Sequence, residues 1–396
     1  MVGSLTLSHC SPRARAARVG RIAATLFALI ALVALTGVAR AQADASAPDF
    51  EVVATLDAPP GNVAVTPSGR LILSLHPFGA PEQRVVELLP DGTTRPYPTP
   101  AWSGAPGPDG VGIAAIIGIV SDPQGVVWML DAGSAETPPK LVGWDTRAER
   151  LARVIHLPAP IVQPNSFFQD LAVDALRRRA YIADMSRGDL VGASTPAIVV
   201  VDLDTGTARR VLHGHTSLQP EETREARMVI DGTPVRTPVE NGKPVEPRIG
   251  LNPITIDPSY TWVYYGAMSG RSLYRLRADD LADPSLDDAT LASRIERYGD
   301  KAVSDGISVD GAGNVYITDL PGNGIGVTRP DGRYAQLIED PQLSWTDGMS
   351  YGPDGFFYVT VNQLHRMPPL NNGEMAADGT YRIVRFKPLA PSTVGR

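Results

Sequence analysis

Five acid and amide residues occupy comparable positions in this sequence, each at the start of a short apolar segment. They are Asn62, Asp170, Asn252, Asp305 and Asp347. Oxygen ligands of this kind suit a hard cation such as Ca²⁺ or Mg²⁺, and an organic amine would meet the same negative charge. The alternative is structural, because an Asp before Gly, as at 305–306 and 347–348, can bond backbone amides at a turn. The choice depends on whether the fold brings the five residues together.

The segments that carry these residues follow one pattern: an apolar strand, a turn with Asp, Pro or Gly, and a second strand rich in Val, Tyr, Ile or Trp. The copies are NVAVTPSGRLILSL (62–75), IIGIVSDPQGVVWMLD (116–131), QDLAVDALRRRAYIAD (169–184), NPITIDPSYTWVYYGA (252–267), DGISVDGAGNVYITD (305–319) and DGMSYGPDGFFYVT (347–360). Most recur at roughly 40 to 55 residues, a period typical of four-stranded propeller blades. The six copies predict an all-β fold, a six-bladed β-propeller.

The chain ends are expected to close this ring. FEVVATL (50–56) has no blade of its own, and it would pair beside YRIVRFK (381–387) in the last blade, which removes open sheet edges. The first residue of each inner strand would then lie at the mouth of the central channel, although blade two has Ile117 and Gly118 there. Three carboxylates that converge in this way raise one another's pKa unless a cation intervenes.

Four more side chains are expected to border the channel. Asn362 and Gln363 follow the last inner pair of strands, and two amides on a buried propeller face need hydrogen-bond partners. Phe168 precedes Asp170 and Trp345 precedes Asp347, and together with Phe167 these rings would frame the cavity mouth, because an aromatic ring beside a carboxylate favours a cationic amine. The predicted ligand site comprises these four residues and the five above.

One interval between copies is longer than the others because residues 213–250 form an insertion in blade three. Its MVIDGTPVR segment has a DG pair between β-prone residues, which predicts a small hairpin. The insertion would cover one face of the disc. Loops on a rigid scaffold often carry function, so this segment could also bind a protein partner, whose identity the sequence does not give.

The first 43 residues have the composition of a secretory signal peptide. Four Arg residues precede the apolar run 22–38, and ARA (39–41) and AQA (41–43) offer small residues for cleavage. The alternative is an uncleaved membrane anchor, but the run is near the lower limit for a membrane-spanning helix. We therefore expect cleavage, secretion or periplasmic export, and a single mature domain at 44–396.

The mature chain is acidic and has no cysteine. Removal of residues 1–43 takes away five of the 36 basic residues and none of the 43 acidic ones, which leaves a net charge of −12. This charge argues against nucleic acid or an anionic membrane surface as a partner. The single cysteine, Cys10, lies in the predicted signal, so disulfides and a thiol nucleophile are excluded. GxSxG, P-loop and HExxH motifs are absent from the sequence.

Several segments resemble the major royal jelly protein/yellow family in its bacterial form. They are FFQDLAVDALRRRAYIADMS, MSGRSLYRL, SDGISVDGAGNVYITD and WTDGMSYGPDGFFYVTVNQLHRM. The resemblance covers roughly residues 50–390 and is most specific at VNQLHR (361–366). It implies a secreted six-bladed propeller. The family includes proteins tied to dopachrome conversion, nutritional jelly proteins and salivary proteins that bind biogenic amines in the channel, and it has no universal catalytic residues to carry over.

The chain is more distantly similar to the gluconolactonase/regucalcin/luciferin-regenerating superfamily. That resemblance implies a metal site, with Asn252 in GLNPITID and Asp305 in SDGISVD matching two of its ligands. Asn62 stands where the superfamily has a glutamate, which weakens the case for Ca²⁺ binding and for lactonase activity. Calcium at Asn252 and Asp305 is the one cofactor that this likeness suggests.

Three functions follow from these observations. The first is a propeller that binds a small polar or cationic ligand in its channel. The second is an enzyme, either a metal-assisted lactone hydrolase or a tautomerase of the dopachrome type, in which a carboxylate moves a proton. The third is a protein-interaction scaffold that uses the insertion.

Overall fold

A computed structural model describes residues 50–186 and 190–395. The predicted signal peptide, 1–43, lies outside the described residues. The described residues belong to one compact unit. Its strands form six four-stranded antiparallel sheets and one two-stranded hairpin, so the prediction of an all-β, six-bladed propeller is confirmed.

The blades follow the chain in order. Blade one has β2 (Pro60–Val65), β3 (Leu71–Leu75), β4 (Val85–Leu88) and β5 (Thr94–Pro96), and blade two has β6 (Ile116–Ser121), β7 (Val126–Asp131), β8 (Lys140–Asp145) and β9 (Arg150–His156). Blade three has β10 (Phe168–Asp174), β11 (Arg179–Asp184), β12 (Ala197–Asp202) and β13 (Ala208–Val211), and blade four has β16 (Leu251–Ile256), β17 (Trp262–Ala267), β18 (Ser272–Arg277) and β19 (Glu296–Asp300). Blade five has β20 (Ile307–Val309), β21 (Val315–Asp319), β22 (Gly324–Thr328) and β23 (Tyr334–Glu339), and blade six has β24 (Thr346–Tyr351), β25 (Phe357–Val361), β26 (Tyr381–Phe386) and β1 (Phe50–Leu56).

Strand β1 closes the ring as the sequence predicts. It pairs antiparallel with β26, from Phe50 opposite Phe386 to Leu56 opposite Tyr381. The innermost strands β2, β16 and β24 are buried at every residue, while the outermost strands β1 and β23 have many exposed positions. This gradient follows from the ring, because inner strands are covered by neighbouring blades and outer strands face solvent.

Helices are short and join strands. The α-helices are α1 (Pro100–Ser103), α2 (Ala278–Ala282) and α3 (Asp288–Ser293), and the 3-10 helices are Pro77–Gly79, Thr216–Leu218, Pro341–Leu343, Leu364–Arg366 and Pro368–Leu370. Within the part of the chain that the structure describes, no helix has the length and apolarity to cross a membrane.

The insertion of blade three contains the hairpin that its DG pair predicts. Strands β14 (Val229–Ile230) and β15 (Thr233–Pro234) pair antiparallel. Beyond the hairpin, the amide of Arg236 donates to the carbonyl of Leu370, 3.1 Å away, in the loop after β25. Buried side chains of the insertion pack in the same core cluster as Trp345 and Leu364. The insertion is therefore fixed to blade six by backbone and side-chain contacts.

Candidate functional site

The inner strands share an irregularity where the polar residues lie. Pairing with the second strand shifts register in β2, β6, β10, β16 and β24, in each case within the first half of the strand. In three blades, a hydroxyl group of the second strand accepts a hydrogen bond from a backbone N–H at the start of the inner strand. Ser74 Oγ accepts from the N–H of Asn62, Thr318 Oγ1 from that of Gly306 and Thr360 Oγ1 from that of Gly348, at 2.8 to 3.0 Å. At a register shift, side chains no longer alternate strictly between the two faces of the sheet, so the polar side chains can face the axis of the central channel.

Glycines beside the polar residues let the inner strands approach one another. A Cβ added to Gly118 would lie 2.8 Å from the carbonyl oxygen of Gln169 in blade three. On Gly348 it would overlap the Asn62 side chain and lie 2.7 Å from the Asn62 Cα in blade one. Since only glycine leaves this space free, the DG pairs serve close packing of neighbouring blades, and the channel is narrow.

The three carboxylates of the predicted ring each accept a hydrogen bond from an amide side chain. Asn252 Nδ2 donates to Asp305 at 2.7 Å, Asn362 Nδ2 donates to Asp347 at 2.9 Å, and Asn62 Nδ2 donates to Asp170 at 3.3 Å. The hydrogen bond between Asn62 and Asp170 joins blade one to blade three and passes Gly118 of blade two. Residues from five blades therefore meet at the axis.

The environment favours the protonated form of all three carboxyls. Burial raises the pKa of Asp305 to about 6, although hydrogen bonds from Trp345 and Asn252 oppose the rise. Burial, with a contribution from Asp305, raises the pKa of Asp170 to about 7. Burial and the charges of Asp305 and Asp170 raise the pKa of Asp347 well above its ordinary value. Among the described residues, the hydrogen-bond partners of these carboxylates are amides, an indole and a backbone N–H, and none is a cation.

Four of the five predicted axial residues border one of two cavities. A cavity of about 480 Å³ has mainly apolar walls and includes Asn252, Asp305 and Trp345 in its lining. A second cavity of about 30 Å³ is bordered by Asn62 and Asp170. The first is large enough for a small organic molecule, and the second is about the size of one water molecule.

Trp345 lies between Asp305 at the wall of the large cavity and His365 in the loop after β25. Its Nε1 donates to Asp305 Oδ2 at 2.7 Å. Its ring stacks on His365, with ring centroids 5.8 Å apart and planes within 7°. Trp345 has a left-handed backbone, with φ of 57°, an uncommon conformation for a bulky residue. The indole therefore fixes the Asp305 carboxylate and borders the cavity beside it.

The other predicted residues have different positions. Asp347 and Asn362 line neither cavity, and Asn362 also donates to the carbonyl of Pro60 at 3.0 Å. Gln363 turns away to donate to Asp378 at 2.8 Å. Phe168 is buried in the core between blades two and three, whereas its neighbour Phe167 lines the large cavity. Phe167 and Phe168 differ in this way because side chains of adjacent residues in an extended strand point to opposite sides.

Sequence reasoning missed three polar residues of the large cavity: His76, Gln169 and Thr237. His76 follows β3 and begins the 3-10 helix Pro77–Gly79. Gln169 lies between Phe168 and Asp170 in β10, and Thr237 belongs to the insertion. The available signal was at Gln169, which opens the copy 169–184 directly before Asp170, whereas His76 and Thr237 lie outside the copies.

Asn252 and Asp305 are the two residues at which the sequence predicts calcium. Both carboxylate oxygens of Asp305 already accept hydrogen bonds, one of them from the Asn252 amide. Within 50–186 and 190–395, no three His, Cys, Asp or Glu side chains are grouped so that they could hold a metal ion. Calcium usually takes six to eight oxygen ligands. Calcium at these two residues remains a prediction.

Solved structures with the same fold include enzymes and a calcium-binding protein. A gluconolactonase from Xanthomonas campestris is 12% identical, with 86% of this chain and 90% of that chain covered and a TM-score of 0.54. A luciferin-regenerating enzyme is 12% identical, with coverage of 88% and 98% and a TM-score of 0.54. Regucalcin from Agrobacterium tumefaciens is 15% identical, with coverage of 87% and 98% and a TM-score of 0.52. At these identities the likeness shows the fold alone.

The sequence itself matches a family. No curated protein matches the chain significantly. The family described as Major royal jelly protein matches residues 115–368, from blade two through the loop that follows the inner strands of blade six. This range includes Asp170, Asn252, Asp305 and Asp347 and the whole insertion. The chain belongs to the major royal jelly protein family.

Proposed function

We propose that this protein binds a small amine with an apolar body in the large cavity. The observation that carries the proposal is Asp305, a buried carboxylate at the wall of an otherwise mainly apolar cavity, with no cationic partner among the described residues. Burial of a carboxylate without a counter-ion is unfavourable, so a ligand ammonium at this position would be strongly attracted.

The rest of the cavity supports an organic cation over a simple ion. Phe167, Leu364 and Met268 contribute apolar lining, and Trp345 supplies an aromatic ring next to the carboxylate. Aromatic rings attract cations, and apolar walls favour a hydrocarbon body. The composition of residues 1–43 leads us to infer that binding takes place in the periplasm or outside the cell.

Calorimetric titration with tyramine and with tyrosol, which has a hydroxyl in place of the amine, tests this function. We expect tyramine to bind at least about tenfold more tightly, since a hydrogen bond to a charged group contributes about 1.5–3 kcal/mol. Asp305→Asn removes the charge at nearly constant shape and should weaken tyramine binding by a similar factor. Affinity should also fall between pH 7.5 and pH 5, because the pKa of Asp305 is about 6 and its protonated form carries no charge.

Asp170→Asn is the matched control, because Asp170 is also an axial carboxylate but borders the small cavity. It should leave tyramine affinity within about threefold. Equal affinities for tyramine and tyrosol, or an unchanged affinity in Asp305→Asn, would refute the proposal.

The same assays address the alternatives. Recovery of a chemically altered ligand would favour an enzyme of the tautomerase type over a binding protein. Stabilisation by Ca²⁺ that both Asp305→Asn and Asn252→Ala abolish would support the metal site instead. A scaffold function would require that deletion of 213–250 abolish binding of a protein partner.

A further inference from the structure

The large cavity also contains a histidine, and binding of an ammonium group at Asp305 gives this histidine no role. His76 is 3% exposed, and it lines the cavity from blade one, whereas Asp305 lines it from blade five. Its Nδ1 accepts a hydrogen bond from the amide of Phe78 at 3.1 Å. Because Nδ1 is used as an acceptor, the ring proton of the neutral form resides on Nε2.

The protonation state of His76 is fixed by its surroundings. Burial lowers the pKa of His76 to about 3, so the ring is neutral throughout the physiological range. A neutral ring that accepts through Nδ1 must donate through Nε2. Among the described residues, the ring of His76 has no hydrogen-bond partner other than the amide of Phe78. Its Nε2–H is thus a permanent neutral donor without a protein acceptor.

Other polar groups of the same cavity also lack partners. The Oγ1 atom of Thr237 and the Oδ1 atom of Asn252 are buried without a hydrogen bond. The side chain of Gln169 is 5% exposed and forms no hydrogen bond with the described residues. A buried polar group left without a partner costs about 1–3 kcal/mol, so these groups favour a ligand that supplies hydrogen bonds.

We propose that His76 determines specificity by selecting amines that carry a hydroxyl oxygen on their apolar body, such as phenolic amines, over amines that lack one. The proposal rests on the proposed function. The hydroxyl oxygen accepts from His76 Nε2–H, and its own proton can go to Thr237 or Gln169 in the same cavity. An anionic group could also accept from His76, but the carboxylate of Asp305 disfavours a second negative charge in the cavity.

Tyramine and phenethylamine test this inference, since they differ only in the ring hydroxyl. A site built to hydrogen-bond a hydroxyl discriminates strongly against a ligand without it, because the site's own groups are then left unpaired. We expect the wild-type protein to prefer tyramine by about tenfold or more, at the upper end of a single neutral hydrogen bond.

Two substitutions of His76 separate its donor from its role in the turn. The oxygen of Asn in His76→Asn can take the place of Nδ1 and still cap Pro77–Gly79, but this variant has no donor at the position of Nε2. It should bind tyramine and phenethylamine with equal affinity. The amide of Gln in His76→Gln reaches the position of Nε2 and should restore part of the preference for tyramine.

The outcomes distinguish this inference from the proposed function. Binding of both amines without a preference in wild type, or a preference that persists in His76→Asn, would refute the role of His76 and leave the amine site intact. Failure of both amines to bind the wild-type protein would refute the proposed function and this inference with it. Loss of the preference in His76→Asn together with its return in His76→Gln would establish the role.

Discussion

At the scale of single residues, three aspartates of similar type have different roles. Asp305 borders the large cavity, Asp170 borders the small one, and Asp347 is enclosed between blades. Each accepts a hydrogen bond from an Asn, which satisfies part of its hydrogen-bonding capacity without neutralising its charge. Ionised carboxylates at this axis therefore reduce the stability of the fold.

Asp170→Asn should stabilise the protein at alkaline pH. Burial raises the pKa of Asp170 from 3.8 to about 7 on folding, so ionisation of this carboxyl at alkaline pH opposes folding. Between pH 4 and pH 7 the folded state retains a proton that the unfolded state has lost, so stability falls as pH rises. We expect the melting temperature of the variant to exceed that of wild type by a few degrees at pH 8.5 and to equal it at pH 4.5.

Thermal unfolding over this pH range checks the prediction. Asp331→Asn is the control, because Asp331 is an exposed turn residue and should show no pH-dependent gain. A variant Asp170→Asn that is less stable than wild type at pH 8.5 would show that the carboxylate stabilises the axis.

At the scale of elements, the inner strands combine a polar residue, a glycine and a hydroxyl from the second strand. In blade five Thr318 Oγ1 accepts from the amides of Asp305 and Gly306, and in blade six Thr360 Oγ1 donates to the carbonyl of Gly61 in blade one. The Thr318 bonds hold the start of β20 within blade five, and the Thr360 bond ties blade six to blade one. The start of each inner strand thus contributes to the packing of the blades. It also places the polar side chains at the axis of the channel.

Gly348→Ala should destabilise the propeller strongly. The new Cβ would overlap the Asn62 side chain and lie 2.7 Å from its Cα, and the backbone of another blade cannot move aside cheaply. Overpacking of this kind costs about 1–3 kcal/mol or more. We expect a clear drop of the midpoint in urea unfolding.

Gly104→Ala is the comparison for this substitution. The φ of Gly104 is −81°, and the nearest atom to an added Cβ is 3.4 Å away, so Ala fits there. Equal unfolding midpoints for the two variants would mean that the inner strands tolerate a wider spacing.

At the scale of the whole molecule, the insertion of blade three forms part of the roof of the large cavity. Asp231 at the tip of its hairpin accepts hydrogen bonds from Asn323 at 2.7 Å and Arg366 at 2.7 Å, and it pairs with His365 at 3.0 Å. Burial alone would raise the pKa of Asp231, but these hydrogen bonds outweigh it and lower the pKa to about 2. The tip thus joins blade three to blades five and six.

Asp231→Asn should loosen this roof without disturbing the propeller. Asn suits the left-handed backbone of Asp231, whose φ is 52°, but it removes the charge that holds Arg366. We expect faster amide hydrogen exchange in 226–238 and 364–373 and faster dissociation of bound tyramine, with a melting temperature within a few degrees of wild type.

Hydrogen-exchange mass spectrometry and stopped-flow fluorescence measure the two effects. Asp331→Asn again serves as the control, because it changes the same charge away from the cavity. Unchanged exchange and dissociation in Asp231→Asn would show that the backbone contacts of Arg236 with the loop of blade six suffice to hold the roof.

The sequence determined the architecture and the residues at the axis. Six copies of a strand–turn–strand pattern predict six blades, and a leftover first strand predicts closure, because repeated local patterns specify repeated local structure. Position within the repeat also placed Asn62, Asp170, Asn252, Asp305 and Asp347 near one another. These inferences depend on periodicity, which is readable in a single chain.

Only the tertiary structure decided which axial residues face the large cavity and what else faces it. Phe167 rather than Phe168 lines the cavity, because adjacent residues at the start of β10 face opposite sides and Phe168 packs between blades two and three. His76 and Thr237 reach it from a turn and an insertion that belong to no repeat. Contacts between blades that are distant in sequence fix these positions, so no local sequence pattern predicts them.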